Sequence, residues 1–437
     1  MAESNGGDSA VAVIGAGVIG CAVAWTLTRA GRRVLLLDRA EPATAGASFG
    51  NVGHVATEQV QPLPSPQLLL QFWRELFSLG GPLDIPRRRL TALAPWFSRF
   101  AVAAFRQKEN ARSFSPLVRG AADALGKLLE EVGRRDLLRR NGHYALWLGR
   151  NAVAKAALER RQALHWEVAT SPIPAELLRA IASAAAGTTA LGAQSRAASR
   201  SHGGPAAGLW FPDSAHVLDP AQVAQALAAG ATQRGATLQR ALVRRVAPSG
   251  DTIEIFTDAG SMLVKTAVVC CGVWSAPLVA TFGLRAPLEA ERGYHIELPG
   301  HAALADAPIA YADYSVAVTP MASRLRASSY LEFAGLEAAP DPRKPARLRA
   351  TLRQLGYQCD PDGPSWMGPR PTLPDYLPAI GRAPGPANLF YAFGHQHLGL
   401  TLSAVTAELV AELVMGRPTR FDVSAFDLAR FGRVRSS

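Results

Sequence analysis

The chain is poor in cysteine, in lysine and in charge generally. It has four cysteines among 437 residues, and two of them, Cys270 and Cys271, are adjacent. They show neither paired CxxC spacing nor a disulfide-rich pattern, which argues against a structural zinc module and a secreted framework and suits a reducing cytoplasm. Lysine is confined to Lys108, Lys127, Lys155, Lys265 and Lys344, so the formal charge of +11 is almost entirely scattered arginine. No nucleic-acid-reading motif accompanies that charge, and no nucleic-acid partner is expected. Charged residues make up only 19% and apolar residues 48%, a balance that excludes intrinsic disorder. Long apolar runs are also missing. The polar, acidic opening has no basic n-region, and the apolar stretch after it is broken by glycines and meets the Arg29 to Arg33 patch. No targeting or membrane-spanning segment is therefore expected.

The one tight basic run, Arg87 to Arg89, precedes Leu90, Leu93, Trp96, Phe97 and Phe100 at roughly helical spacing. It reads as a helix packed on its own domain, with peripheral contact to an anionic membrane surface as the alternative.

At about 150 residues per domain the length suggests two or three domains. The first fifty residues carry the sharpest motif. Val11 to Ile14 is a short apolar run, followed by Gly15, Ala16, Gly17, Val18, Ile19 and Gly20, a helix-like Cys21 to Ala30, and Val34 to Leu37 closing on Asp38. This is strand, glycine-rich turn, helix, strand. Gly15 permits the turn, Gly17 lets backbone approach a pyrophosphate and Gly20 lets helix and strand pack. The helix N-terminus favours the phosphates. Asp38 stands where a carboxylate accepts hydrogen bonds from ribose hydroxyls, which disfavours a 2′-phosphate and leaves NAD or FAD. The motif's N-terminal position and a distant second block near the C-terminus favour FAD.

That style continues downstream. The segment Gly46 to His54 is dense in small residues that let a bulky ligand pass. Leu263 to Cys271 reads as a buried strand closing on Gly272, Val273 and Trp274. Gly368 to Gly381 holds Arg370 between prolines, preset to clamp a carboxylate, with pairing to Asp375 as its structural alternative. Leu389 to Phe393 reads as a strand, its exit turn as Gly394 to His397, and a helix opens near Gly399 with free N–H groups facing negative charge. His395 and His397 lack a nearby third ligand, so no metal is assigned.

These segments, GAGVIG with Asp38, ASFGNVGH, FPDSAHVLDP, VVCCGVWS, RGYHIEL, GPRPTLPDYLPAIG and GHQHLGLTLS, resemble in order the FAD-dependent D-amino acid oxidase family over almost the whole chain. The resemblance is closest to the bacterial D-amino acid dehydrogenase small subunit, with SFGNVGHVATEQ similar to the D-hydroxyproline dehydrogenase type. It implies an α/β glutathione-reductase-like FAD domain, a Rossmann unit, interleaved with an α+β substrate domain on a mixed, largely antiparallel sheet. The FAD domain is placed at 8–85, 216–283 and 366–430, and the substrate domain at 86–215 and 284–365. Residues 116–140 read as a substrate-domain helix, and Ala180 to Gly208 as a mobile insertion.

The same resemblance implies cofactor contacts from Val18, Ile19, Asp38 and Arg39 on the pyrophosphate and adenosine side. Ser48, Asn51, Gly53 and His54 would pass along the flavin, Val243 would lie at the adenine, and Gly272, Trp274, Gly394 and Leu398 to Thr401, with Gly399 and Leu400, would complete the site. Arg370 aligns with the arginine that binds the substrate carboxylate, and His397 falls where glycine oxidase carries a second arginine. Ala317 replaces the substrate-side tyrosine, so Tyr311 and Tyr314 are the nearby candidates, with His54 beside them. No cysteine matches a covalent flavin tether, so FAD is expected to be noncovalent.

The expected reaction is oxidative deamination of a D-amino acid by hydride transfer to flavin N5, with no obligate protein base and with D-proline or cis-4-hydroxy-D-proline as candidate substrates. The electron acceptor would be a quinone, the respiratory chain or oxygen, and the location cytoplasmic or peripheral at the inner face of the membrane. The alternatives are a glycine- or sarcosine-type oxidase that produces hydrogen peroxide, and a flavin-binding subunit without independent turnover.

Overall fold

The computed structural model describes residues 10–187, 206–300, 303–385 and 388–432. The apolar β-branched run Val11–Ile14 is completely buried and sits inside a six-stranded sheet. Its order is Thr237–Arg240, Val34–Asp38, Val11–Ile14, Thr266–Val269, Asn388–Phe393 and Ala379–Arg382. The first five strands are parallel and the last is antiparallel. A strand buried on both faces needs apolar residues throughout, which is why these segments show continuous runs rather than alternation. Helices Val18–Arg29, Pro220–Gln233 and Gly399–Val414 pack together on one face. The antiparallel meander Val243–Ser249, Thr252–Thr257 and Gly260–Val264 covers the other through Val246, Ile253 and Ile255. Gly20 makes the first helix fit its strand, because a Cβ there would lie 1.7 Å from the Gly15 carbonyl oxygen.

A second sheet is mixed and mostly antiparallel, as expected. It runs Ser365–Thr372, Glu289–Pro299, Arg324–Glu332, Val316–Pro320, Ile309–Tyr311, His143–Leu148, Ala206–Phe211 and Ser171–Pro172, with Leu83–Asp84 pairing to Arg324–Glu332. Among the described residues of this sheet, parallel pairing occurs only where Ile309–Tyr311 meets His143–Leu148 and where Leu83–Asp84 joins. A small three-stranded sheet, His54–Val55, Ala215–Val217 and Leu138–Arg139, links the segment after the glycine motif to the downstream chain.

Three local readings change. Leu263 to Cys271 is not one strand: the meander ends at Val264 and the buried strand starts at Thr266. Residues 116–140 form the end of helix Gln107–Arg119, helix Ala121–Glu131, a 3-10 turn and a short strand. Their Leu117, Ala121 and Leu125 join the core under the six-stranded sheet, because that apolar face meets helix Gly399–Val414. Residues 366–372, grouped above with the FAD segments, pair with residues 289–295 in the second sheet. Most of the Ala180 to Gly208 insertion lies outside the described residues.

The basic-then-amphipathic stretch packs on its own protein. Arg87–Arg89 is a 3-10 turn leading into helix Leu90–Phe105, whose Leu93, Trp96 and Phe100 are buried against Phe333 and Tyr376. Leu90 and Phe105 stay exposed.

Candidate active site

A groove of about 290 Å³ crosses the carboxyl ends of the parallel strands, where Ile14, Cys270, Cys271, Phe393 and Gly394 come together. Every expected cofactor residue lines it except Gly20, Gly53, His54, Leu398 and Thr401. Gly20 is the helix spacer described above. The carbonyl of Gly53 accepts from the Val217 N–H at 2.8 Å, and Thr401 is buried with its hydroxyl accepting from the Ala56 N–H at 3.1 Å. His54 and Leu398 line the adjoining cavity.

The residues present fit an FAD. The helix Val18–Arg29 opens on the groove with no acidic residue in its first turn, so its positive end is available to an anion. A Cβ on Gly17 would project toward this space with only Ser48 Oγ within 4 Å of it. The Val18 N–H donates to Ser48 Oγ at 3.0 Å, which fixes that hydroxyl at the groove's edge. Asp38 accepts from the Ala16 N–H at 2.6 Å and the Ala40 N–H at 2.9 Å, one bond to each oxygen. A carboxylate has about four acceptor sites, so ribose hydroxyls find room beside these bonds. The Arg39 guanidinium stacks 4.2 Å over the Trp274 ring, and both residues line the groove. Burial pushes the Cys271 thiol up to about 12 and raises that of Cys270 well above the ordinary cysteine value, so neither is a thiolate near neutrality, which suits a noncovalent cofactor.

A second cavity of about 710 Å³ shares Ala47, Asn51 and Gln396 with the groove. Strand Ser365–Thr372 forms the wall between them: Gly368 and Arg370 face this cavity, Pro369 and Pro371 the groove, as two-residue alternation requires. Arg370 Nη1 donates to Glu291 Oε1 at 3.0 Å and to the Tyr330 carbonyl at 3.1 Å. The sequence alternative, Asp375, is instead held by Arg430 at 2.7 Å. Glu291 is fully buried, and its other oxygen accepts from the Tyr376 hydroxyl at 2.6 Å and from Thr372 at 3.3 Å. The guanidinium lies against Gly293, where a Cβ would come within 2.2 Å of Nη2. A pre-oriented, partly exposed arginine is thus presented to a mostly apolar space whose other polar lining includes Asn51, His54, Gln59, Gln396 and His397.

His397 lines the same cavity and donates from Nε2 to Gln59 Oε1 at 2.6 Å. Burial lowers both His397 and His54 to about 4, so near neutrality neither supplies the charge of a second arginine. Tyr311 lines the cavity with its hydroxyl 2.9 Å from that of Tyr357, while Tyr314 is not part of the lining. Ala317 contributes wall surface. Part of the lining is apolar, built by Leu68, Phe72, Trp96, Phe97, Phe100 and Phe333. Glu291, Tyr376 and Gln59 were missed in the sequence. The only local signal for Glu291 is an acid immediately before the strand-like RGYHIEL segment, Arg292 to Leu298.

Comparison with known proteins follows this geometry. The family model described as "DAO: FAD dependent oxidoreductase" matches residues 10–413. The chain is 31% identical over 434 residues to the D-amino-acid oxidase of Bradyrhizobium diazoefficiens, covering 96% of this chain and 98% of that protein. It is 28% identical over 435 residues to the D-amino acid dehydrogenase of Paramagnetospirillum magneticum, covering 96% and 98%. Among solved structures, glycine oxidase from Geobacillus kaustophilus superposes with a TM-score of 0.72 at 20% identity, covering 97% of this chain and 99% of that one. L-proline dehydrogenase from P. horikoshii gives 0.71 at 16% identity, covering 98% and 100%. At these identities the two structures bear on the fold alone.

Proposed function

This chain belongs to the DAO family of FAD-dependent oxidoreductases, and from that premise we propose that it oxidises D-amino acids whose carboxylate docks on Arg370. The observation that carries this reading is Arg370 itself, aimed into a cavity that joins the cofactor groove and held there by Glu291, Tyr330 and Gly293. Bound FAD supplies the two-electron acceptor for the substrate's Cα–H. The chain's own part is alignment: Arg370 fixes one end of the substrate, the aromatic wall takes the side chain, and the mostly apolar lining limits water. His54 and His397 are neutral near pH 7 and accept or donate hydrogen bonds to the substrate's polar groups. No residue is assigned as an obligate base.

The extent of the apolar wall supports a substrate with a real side chain over glycine or sarcosine. The finer expectation of D-proline or cis-4-hydroxy-D-proline rests on the SFGNVGHVATEQ resemblance, with Gln59 and His397 available to a ring hydroxyl. The test is anaerobic bleaching of the yellow protein with D-phenylalanine, D-leucine, D-alanine, D-proline, cis-4-hydroxy-D-proline, glycine and sarcosine. A protein that cannot be reconstituted with FAD, or that bleaches with none of these, overturns the reading. Turnover of the isolated chain with an artificial acceptor rules out a subunit without its own activity.

We further propose a peripheral contact with an anionic membrane, with a quinone as acceptor. No helix among the described residues is long and apolar enough to cross a membrane. Helix Pro66–Glu75 has no buried residue, however, and Leu70, Trp73, Leu79, Leu90 and Phe105 are exposed on elements flanking Arg87 and Arg88. That combination of apolar and basic surface suits interfacial binding. Co-sedimentation with anionic but not zwitterionic vesicles is expected, and hydrogen peroxide release in air at the rate of substrate loss would point to oxygen instead.

A further inference from the structure

Among the described residues, two groups of acidic or imidazole side chains lie close enough together to surround a cation, and they differ in one respect. Asp84, Glu332 and Asp341 converge on Lys344 Nζ at 2.6, 2.8 and 2.9 Å, so that cluster carries its own cation. His54, Glu58 and His143 converge on none.

Glu58 Oε2 lies 3.8 Å from His54 Nε2 and 3.7 Å from His143 Nδ1, beyond hydrogen-bond reach of both. Both ring nitrogens are buried with no hydrogen-bond partner among the described residues. The His143 side chain is only 4% exposed and Glu58 10%. No lysine or arginine among the described residues pairs with Glu58; its salt-bridge distances are to the two histidines alone. Two buried imidazole nitrogens left without a partner beside a carboxylate are costly unless something satisfies them.

The group is also held in place from outside. Ser214 Oγ donates to Glu58 Oε2 at 2.7 Å and lies 3.2 Å from Thr57 Oγ1. The His143 ring stacks on Phe211 at 4.7 Å and 14°. Such supporting contacts are how a protein fixes the direction of metal-binding side chains.

We propose that His54 Nε2, His143 Nδ1 and Glu58 form a binding site for a divalent transition ion, with zinc as the fitting example, in the wall of the amino-acid cavity. The three atoms lie within 4.8 Å of one another. With two of the three separations 3.8 and 3.7 Å, a point equidistant from the atoms sits no more than about 2.4 Å from each, a small side-chain adjustment from the 2.0–2.2 Å of zinc bonds to nitrogen and oxygen. Two imidazoles and one carboxylate form a donor set suited to zinc and poorly suited to magnesium or calcium. His54 lines the cavity and the other two stand behind it. The ion would therefore tie the segment 54–58 to the start of strand His143–Leu148 and stiffen the cavity wall between them.

The test counts metal and does not depend on which amino acid is turned over. FAD-loaded, tag-free protein is stripped with a chelator, equilibrated with micromolar Zn²⁺ and analysed by mass spectrometry for metal per chain. One equivalent and a thermal midpoint raised by Zn²⁺ and lowered again by chelator are expected. Glu58→Gln and His143→Asn should each weaken zinc binding by a hundredfold or more. A wild-type protein that retains no zinc above buffer, or variants that bind it as wild type does, would overturn the site. Where a variant loses its FAD or its fold, pulsed EPR of the Cu²⁺-loaded wild type decides. Two coordinating imidazoles support the site, and a spectrum without them removes it.

Discussion

Arg370 and Glu291, 79 positions apart in sequence, are directly opposed in neighbouring antiparallel strands and joined by a 3.0 Å ion pair. The pairing makes two consequences inseparable. Arg370→Ala removes the carboxylate clamp, worth about 1.5–3 kcal/mol for each charge-assisted bond, so KM for a D-amino acid should rise about a hundredfold or more. It also leaves Glu291 buried without its cation, a loss of about 3–5 kcal/mol in stability. Arg370→Ala combined with Glu291→Gln should therefore regain much of the thermal stability while keeping the high KM. Steady-state kinetics and thermal denaturation on the same preparations check both halves.

Gly293 offers a way to move the guanidinium without removing it. A methyl group at this position would stand 2.2 Å from Arg370 Nη2, while the ion pair to Glu291 uses Nη1. Gly293→Ala should displace the clamp by a fraction of an ångström to about 1 Å and raise KM by about 10- to 100-fold with FAD content unchanged. Equal KM values for the variant and the wild type would mean that the arginine does not meet the substrate.

The contrast between these residues and the glycine motif shows what sequence can reveal. The turn after Val11–Ile14, its helix and Asp38 are fixed by neighbours within about thirty positions, so their residue types and spacing already describe the geometry. The helix at Gly399 and the arginine between prolines are legible for the same reason. Glu291 is not. Its meeting with Arg370 depends on which strands pair and in which register, and local alternation is silent on both. Asp375 looked like the natural partner because it is five residues away, but the chain turns through Tyr376 and Asp375 reaches Arg430 instead. Glu58 and His143 were invisible in the same way, brought together only when the small sheet and the large one close on each other.

Lys344 ties three separate chain segments together. Its side chain is completely buried, and its ammonium is shared by Asp84, Glu332 and Asp341, on a strand end, a central strand and a loop. Those carboxylates hold its pKa above the ordinary lysine value despite the opposing effect of burial. Lys344→Met should leave three carboxylates facing one another and cost about 3–5 kcal/mol, seen as a lower denaturant midpoint. Lys344→Arg should recover only part of this, because a planar guanidinium does not fit a compact three-acceptor site.

Acid should destabilise the protein before most of its carboxylates titrate. His395, 2% exposed with Nε2 3.0 Å from Thr406 Oγ1, is lowered to about 3 by burial. His295 is also lowered to about 3, first by burial and then by the Arg326 charge, with its Nδ1 2.9 Å from the Gly50 carbonyl. Unfolded histidine titrates near 6.5, so between that pH and about 3 the unfolded chain binds protons that the folded chain refuses. The folded state's advantage is therefore complete above pH 6.5 and declines as pH falls through that window. Each of these residues adds a slope that approaches about 1.4 kcal/mol per pH unit. Denaturant titrations at intervals from pH 7.5 to 4.5 should show stability falling with acid, and His395→Gln should make that fall shallower. An unchanged slope in the variant would show that His395 takes up its proton equally in the folded and the unfolded chain.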